Sequence, residues 1–338
     1  MTKSDISEIK QLLSKPKQIV IVPHKNPDGD AIGSSLAMFH YLTAKKHQVS
    51  IIAPNDYPEF LKWIPGESNI ITFENNTEEA NNLISQAELI FTLDFNALHR
   101  TGDMEHPLAE SDAIKILIDH HQQPDDYAKY IYSDVSICST CQMVYHFLDM
   151  LDHKDAIDSK IANCLYVGIM TDTGSFRFAS TTATTHRVVA DLIDKGAANA
   201  DIHSNVYDNN SYHRLQLLGV ALNNLKVMPE LNTAYISLSQ QELNKHNFTK
   251  GDTEGVVNYG LSIKGVKFAA IFIEHKPESI IKISLRSKGN FDVNDFARKH
   301  FDGGGHINAA GGRSNLNLSE TIDNFVSILP KYSKALKE

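Results

Sequence analysis

Residues 114–121 read Ile-Lys-Ile-Leu-Ile-Asp-His-His. The first five are mostly β-branched and apolar, which predicts a buried strand over 114–118. Three adjacent titratable groups, Asp119, His120 and His121, follow directly. At the end of a buried strand such a trio is costly unless it is paired or coordinated. Neighbouring side chains of an extended chain point to opposite sides. His120 and His121 therefore have different expected jobs, one ligating and the other supporting or donating a proton.

The same pattern recurs on the N-terminal side. Residues 18–23 (QIVIVP) read as a strand and lead into His24-Lys-Asn-Pro-Asp28-Gly-Asp30. Residues 89–93 (LIFTL) read as a strand that ends at Asp94. Further strands are expected over 49–53 and 70–73. A helix is expected over 31–43, on a stripe of Ile32, Leu36, Phe39 and Leu42. Others are expected over 77–86, 140–150, 161–170 and 184–195, with Ser139 or Thr140 as an N-cap. Strands alternating with helices predict a parallel α/β sheet with right-handed crossovers. The carboxyl ends of its strands would lie side by side, so the polar residues beyond them would converge on one edge. Oxygen and imidazole nitrogen are ligands of manganese, zinc and similar ions. Two such ions there would form a device for phosphoryl chemistry.

Each segment also has a plainer reading. Asn26-Pro27-Asp28-Gly29 is strong turn chemistry. Alternatively, Gly29 folds the turn back so that His24, Asp28 and Asp30 meet, and Gly33 allows close approach of the helix start. Asp94 reads either as a helix cap or as a carboxylate bridging two cations. Arg100 is either a surface arginine or a phosphate contact. In Thr171-Asp172-Thr173-Gly174 the threonines are caps, or Asp172 is a ligand. Gly303-Gly304-Gly305-His306 is either a flexible loop or a set of backbone amides closing on an anion before a helix. Arg286, at the end of an expected strand, has the fork geometry that phosphate prefers.

The chain has 338 residues, enough for roughly two domains. Its 42% hydrophobic and 22% charged content are those of a soluble globular protein. No apolar run approaches the ~20 residues that cross a bilayer, and the first residues have no signal-like apolar stretch. A cytoplasmic location is expected. The net charge of −9 argues against broad adhesion to long nucleic acid, but not against a phosphate substrate held beside cations. Three cysteines, Cys138, Cys141 and Cys164, argue against a disulfide framework. Cys138 and Cys141 have the spacing of a thiol redox pair, yet read better as small buried residues entering a helix. No Walker A loop, hydrolase elbow or glycine-rich loop after the first strand is present. Residues 200–223 have helical spacing and read as a connector. Beyond them, strands over 233–238, 267–274 and 280–286 and helices over 293–300 and 318–329 predict a smaller α+β domain.

In this order the segments resemble the motifs of the DHH phosphoesterase family. His24-Lys-Asn-Pro-Asp28-Gly-Asp30 matches its first motif, Asp94 the second, Asp119-His120-His121 the name-giving third and Thr171-Asp172 the fourth. Gly303-Gly304-Gly305-His306 matches the DHH-associated C-terminal domain of its first subfamily. Residues 171–177 and 181–186 are similar to the compact bacterial oligoribonuclease and pAp phosphatase group.

The resemblance implies a parallel-sheet catalytic domain over 1–196, a helical connector over 197–228 and a smaller α+β substrate-binding domain over 229–338, with the active site in the cleft between the domains. It implies two manganese ions, replaceable by magnesium or another divalent ion. His24 and Asp28 would bind one, Asp30, His120 and Asp172 the other, and Asp94 would bridge. Asp119, His120 and His121 would form the catalytic trio, with His121 supporting or donating a proton. Arg100, Arg286, Gly304, Gly305 and His306 would hold the substrate. That substrate is expected to be a very short RNA oligonucleotide, 3'-phosphoadenosine 5'-phosphate (pAp), or both. Linear or cyclic dinucleotide hydrolysis and a non-catalytic nucleotide-binding regulator are the other readings, and a homodimer is left open. An editing hydrolase acting on misacylated tRNA would need basic patches that the sequence lacks.

Overall fold

Short apolar strands, buried along almost their whole length, organise the first 209 residues of the chain. The structure is a computed structural model and describes residues 1–337. It divides into two compact units, residues 1–209 and 210–338. In chain order the first unit runs α1 (Lys3–Leu12), β1 (Gln18–Val22), α2 (Gly29–Ala44), β2 (Gln48–Ala53), β3 (Ile70–Thr72), α3 (Thr77–Gln86), β4 (Leu89–Leu93), α4 (Glu105–Glu110), β5 (Ile114–Asp119), β6 (Tyr130–Ser133), α5 (Thr140–Met150), α6 (Ser159–Asp172), α7 (Ala183–Asp194) and α8 (Asn199–Tyr207).

The sheet order is β3-β2-β1-β4-β5-β6, and every pair is parallel. The chain moves outward from β1 to β3, then returns to start again at β4 beside β1. Ligands of open α/β sheets bind at this switch point, beyond the carboxyl ends of the strands. His24 follows β1 and Asp94 follows β4, so the two segments flank it. Both faces of the sheet are covered. Ile19 and Ile21 pack with Ile32, Leu36, Val144, Phe147, Leu165 and Ile169 on one face. Val20 and Val22 pack with Ile84, Phe95 and Leu108 on the other.

Helices α2 and α6 cross closely because glycine lies at the contact. A Cβ on Gly33 would stand 2.5 Å from Cys164 O, and one on Gly168 would stand 2.2 Å from Cys141 Sγ. Gly29 is the first residue of α2 rather than part of a reversing turn, and its missing side chain makes room for Thr171. Strand β6 was not expected. The stretch 200–223 is two helices, with Asp208–Ser211 between them.

The second unit runs α9 (Tyr212–Asn223), β7 (Lys226–Met228), β8 (Thr233–Leu238), α10 (Gln240–Lys245), α11 (Val257–Ser262), β9 (Phe268–His275), β10 (Ile280–Ser287), α12 (Val293–His300), β11 (Gly304–His306), β12 (Ala309–Ser314), α13 (Leu318–Ile328) and α14 (Ser333–Lys337). Its sheet order is β11-β12-β10-β9-β8-β7, antiparallel except for β8 with β9. Phe268 and Phe272 join Phe296, Phe301 and Phe325 on one face, while Ala269 and Ile271 meet Leu217, Leu243 and Val257 on the other.

One expectation fails here. No helix follows Gly303–His306. Gly304, Gly305 and His306 pair with Gly311, Ala310 and Ala309 in a hairpin. The amide of Gly305 donates to Asn294 Oδ1 at 2.9 Å. A Cβ there would stand 2.5 Å from Ala309 O, so this glycine serves close strand approach and not a helix-headed anion nest. Among the described residues, no helix is long and apolar enough to cross a membrane.

Candidate metal centre

Four segments of the first unit deliver eight titratable side chains to the switch-point edge. Asp28 caps α2, with Oδ1 accepting from the amides of Asp30 and Ala31. Its Oδ2 lies 3.9 Å from His24 Nε2, which also lies 3.6 Å from Asp94 Oδ2. On the other side His120 Nε2 is 3.4 Å from Asp94 Oδ1, 3.3 Å from Asp172 Oδ2 and 3.8 Å from Asp30 Oδ2. Within the first unit, three groups have ligand atoms within 4.8 Å of one another: His24 with Asp28 and Asp94, Asp30 with His120 and Asp172, and Asp94 with Asp119 and His121. Asp94 belongs to two of them and contacts His120 as well. It adopts a left-handed φ of 67°, a local strain of the kind that gathers at functional sites.

The imidazoles are oriented for this. His24 Nδ1 donates to Lys25 O at 2.9 Å and His120 Nδ1 donates to Ile137 O at 3.2 Å. A backbone carbonyl on one ring nitrogen turns the other into the cluster, which is how metal-binding histidines are usually held. His121 is held differently, with Nδ1 donating to Asp119 Oδ1 at 2.7 Å.

The start of α5 braces the acids. Asp30 is 1% exposed, and its oxygens accept from the amides of Thr140 (2.6 Å) and Cys141 (2.9 Å). The Thr140 hydroxyl donates to Asp94 Oδ1 at 2.9 Å. A helix N-terminus favours a carboxylate there. Sequence reasoning found the capping role of Ser139 but missed that Thr140 steadies two acids. The available signal was an aspartate in the first turn of an apolar helix, which needs donors once buried. The three thiols are buried, and burial pushes Cys138 up to about 12. Cys141 is raised too, by burial and then by Asp30, as expected of packed residues rather than a redox pair.

Burial pushes the Asp30 carboxyl well above the ordinary carboxylate range, and the charges of Asp94 and Asp172 act the same way. Asp172 is raised by burial to about 7, against the pull of His120. Burial also acts to raise Asp94, but hydrogen bonds with His120 and His24 outweigh it and hold this carboxyl well below its usual value. Burial opposes charge on His24 and His120, yet both are raised. For His24 the hydrogen bond to Asp94 and the charge of Asp28 prevail, and for His120 the charge of Asp172 and the hydrogen bond to Asp94. Protons thus balance an excess of negative charge in the metal-free cluster, and a divalent cation can replace them. One further atom fits a cation-binding role: Asp119 Oδ2 is buried with no hydrogen-bond partner.

The other expected residues are placed within their own units. Arg100 sits in the short helical turn after β4, and its charge acts on His24. Arg286 and His306 belong to the second unit. Both pair with Ala309, one from each side of β12, so they share one face of that sheet. Two strand spacings put them roughly 9–10 Å apart.

Residues 18–169 match the DHH family, N-terminal domain, and residues 231–335 match the DHHA1 domain. A crystal structure of an exopolyphosphatase-related protein from Bacteroides fragilis is 40% identical, with a TM-score of 0.95 over 100% of this chain and 98% of that one. The chain belongs to the DHH family. Members of this family are phosphoesterases, and the chain is a hydrolase of phosphate esters. It is similar to the bifunctional oligoribonuclease and PAP phosphatase NrnA of Bacillus subtilis, 27% identical over 309 residues that cover 90% of this chain and 92% of that protein. The protein of the same name from Thermus thermophilus is 29% identical over 307 residues, covering 90% and 86%. RecJ from Thermus thermophilus, solved with Mn2+, shares the fold at 14% identity and a TM-score of 0.58, over 98% of this chain and 55% of RecJ.

Proposed function

We propose that this DHH protein is a manganese-dependent phosphoesterase of the cytoplasm that hydrolyses very short oligoribonucleotides and pAp. The carrying observation is Asp94, which faces His24 with one oxygen and His120 with the other. His24, Asp28 and Asp94 would hold one cation. Asp30, His120 and Asp172 would hold the second, with Asp94 between. Oxygen and imidazole donors of this kind suit manganese, with magnesium as a substitute. When bound, the cations supply Lewis acidity toward phosphoryl oxygens and a water of lowered pKa.

The chain's own groups do the rest. Asp119 fixes His121 with its proton on Nδ1, which makes Nε2 the nitrogen that exchanges a proton with the leaving oxygen. Thr140 and Cys141 keep Asp30 and Asp94 in place while charge changes at phosphorus. Arg100 contacts phosphate from the His24 side. On this reading residues 1–196 are catalytic, 197–228 connect, and 229–338 bind substrate, with Arg286, Gly304, Gly305 and His306 holding a phosphate or terminal nucleotide. The names of the NrnA relatives support that choice of substrates.

The test is turnover of a diribonucleotide and of pAp with manganese, with magnesium and with EDTA, for the wild type and Asp119→Ala. The expected result is product only with a cation and a loss of about 10²-fold or more in the variant. Undiminished activity in the variant, or turnover in EDTA, overturns the proposal.

A further inference from the structure

Residues 173–178 follow Asp172 directly and fold the chain back on itself. Gly174, Ser175 and Phe176 have φ angles of 56°, 60° and 64°. Left-handed residues normally occur singly, and mostly at glycine or asparagine. Three in succession, two of them with side chains, form a left-handed turn. Such strain persists only where the surroundings over-determine it, and here they do. Ser175 N donates to Met170 O at 2.8 Å, and Phe176 N donates to Thr173 Oγ1 at 3.0 Å. The amides of Arg177 and Phe178 both donate to Thr173 O, at 3.0 and 3.1 Å. Thr181 Oγ1, three residues beyond Phe178, is buried without a partner. The fold maintains an unfavourable conformation at this position.

The turn separates two aromatic rings. Phe176 is tucked inward, its ring 5.8 Å from Tyr166, 6.0 Å from His186 and 6.3 Å from His203. Phe178 is set outward and is 40% exposed. Its ring lies over Gly174, where a Cβ would approach it to 2.4 Å, so only glycine lets the ring rest on the backbone. Gly174 is two residues from Asp172, and two residues of chain span at most ~7 Å. A partly exposed phenyl ring therefore rests on backbone only two residues along the chain from Asp172.

We propose that Phe178 is the stacking platform for the nucleobase of the bound nucleotide. This rests on the nucleotide-hydrolase reading above and adds the surface that recognises the base. A phenyl face offers stacking without hydrogen-bond readout, so it accepts any base.

The experiment compares pAp with its abasic analogue, in the manganese-loaded wild type and in Phe178→Ala, Phe178→Tyr and Phe178→Trp. Loss of one stacking contact lowers the kcat/KM ratio of pAp to the abasic analogue by roughly 5- to 100-fold in Phe178→Ala. The loss is carried by KM, and Tyr and Trp restore the ratio. In Phe178→Trp, pAp quenches the new indole fluorescence and the abasic analogue does not. A ratio unchanged in Phe178→Ala, or equal losses in the Ala, Tyr and Trp variants, overturns the assignment of Phe178 while leaving the nucleotide reading intact. A wild type that turns over neither pAp nor a diribonucleotide overturns both.

Discussion

His121 donates from Nδ1 to Asp119 Oδ1 at 2.7 Å, and the other oxygen of Asp119 is buried with no partner. A carboxylate held this way stabilises the fold poorly, because one buried oxygen is left unsatisfied. It orients His121 well, because the histidine bond is short and both groups sit at the end of β5. Position and stability therefore pull apart at this residue.

Asp119→Asn separates them. The amide removes a buried carboxylate charge that has only one hydrogen-bonded oxygen, so the metal-free variant is expected to melt no lower than the wild type. Its kcat is expected to fall about 10²-fold or more, because the Nδ1 proton of His121 is no longer fixed by a charge. Parallel thermal melts and steady-state kinetics check this. A matched fall in both would mean that Asp119 acts through the fold.

The proton-laden cluster gives the metal-free protein a distinctive pH dependence. His24 and His120 are raised, so the stability they lend is full below the unfolded histidine value and is lost as pH rises through their folded values. Asp172, raised to about 7, keeps a proton that the unfolded chain has already released, so stability also falls as pH rises toward that value. Asp30 acts in the same direction. Histidines lowered by burial, such as His47 and His146, act oppositely, but only below the unfolded histidine value. Above it they are silent. In EDTA the melting temperature of the first unit is expected to fall between pH 7 and 8.5. With a saturating divalent cation the trend flattens or reverses, since deprotonated ligands bind metal more tightly.

Gly168 tests the packing that places Asp30. A Cβ there would meet Cys141 Sγ at 2.2 Å and Asp30 Oδ1 at 2.6 Å, two buried side-chain ends already held by their own hydrogen bonds. Gly168→Ala is expected to cost about 1–3 kcal/mol by overpacking. That corresponds to a fall of roughly 2–4 °C per kcal/mol for a unit of this size. Differential scanning calorimetry reads the change, and an unaltered melt would mean that α6 can move away from α2 freely.

Much of this architecture was legible because parallel strands are short, apolar and followed abruptly by polar residues. Ile114–Asp119, Gln18–Val22 and Leu89–Leu93 stand out for that reason, and the polar residues after them lie at the switch-point edge. What was hidden depended on partners distant in sequence or on backbone signs. Thr140 is 110 residues from Asp30, and nothing local marks the bond between them. Strand β6 (YIYS) lies at the sheet edge and is too short to show a period. Residues 303–312 carry five glycines, so they have too few side chains to reveal a hairpin by alternation. The polar break at Asp208–Ser211 contains neither glycine nor proline, and the helical spacing on both sides concealed it. The left-handed run at 174–176 includes Ser175 and Phe176, whose residue types give no warning of positive φ.

The central claim is that side chains from separate segments form one seat for a pair of divalent cations, with Asp94 common to both halves. Manganese binding by equilibrium dialysis at pH 8, on the wild type and on Asp94→Asn, tests it most directly. The account predicts two ions per wild-type chain and a marked loss of affinity for both in the variant. A wild type that takes up no manganese, or a variant that holds two ions as tightly as the wild type, would contradict it.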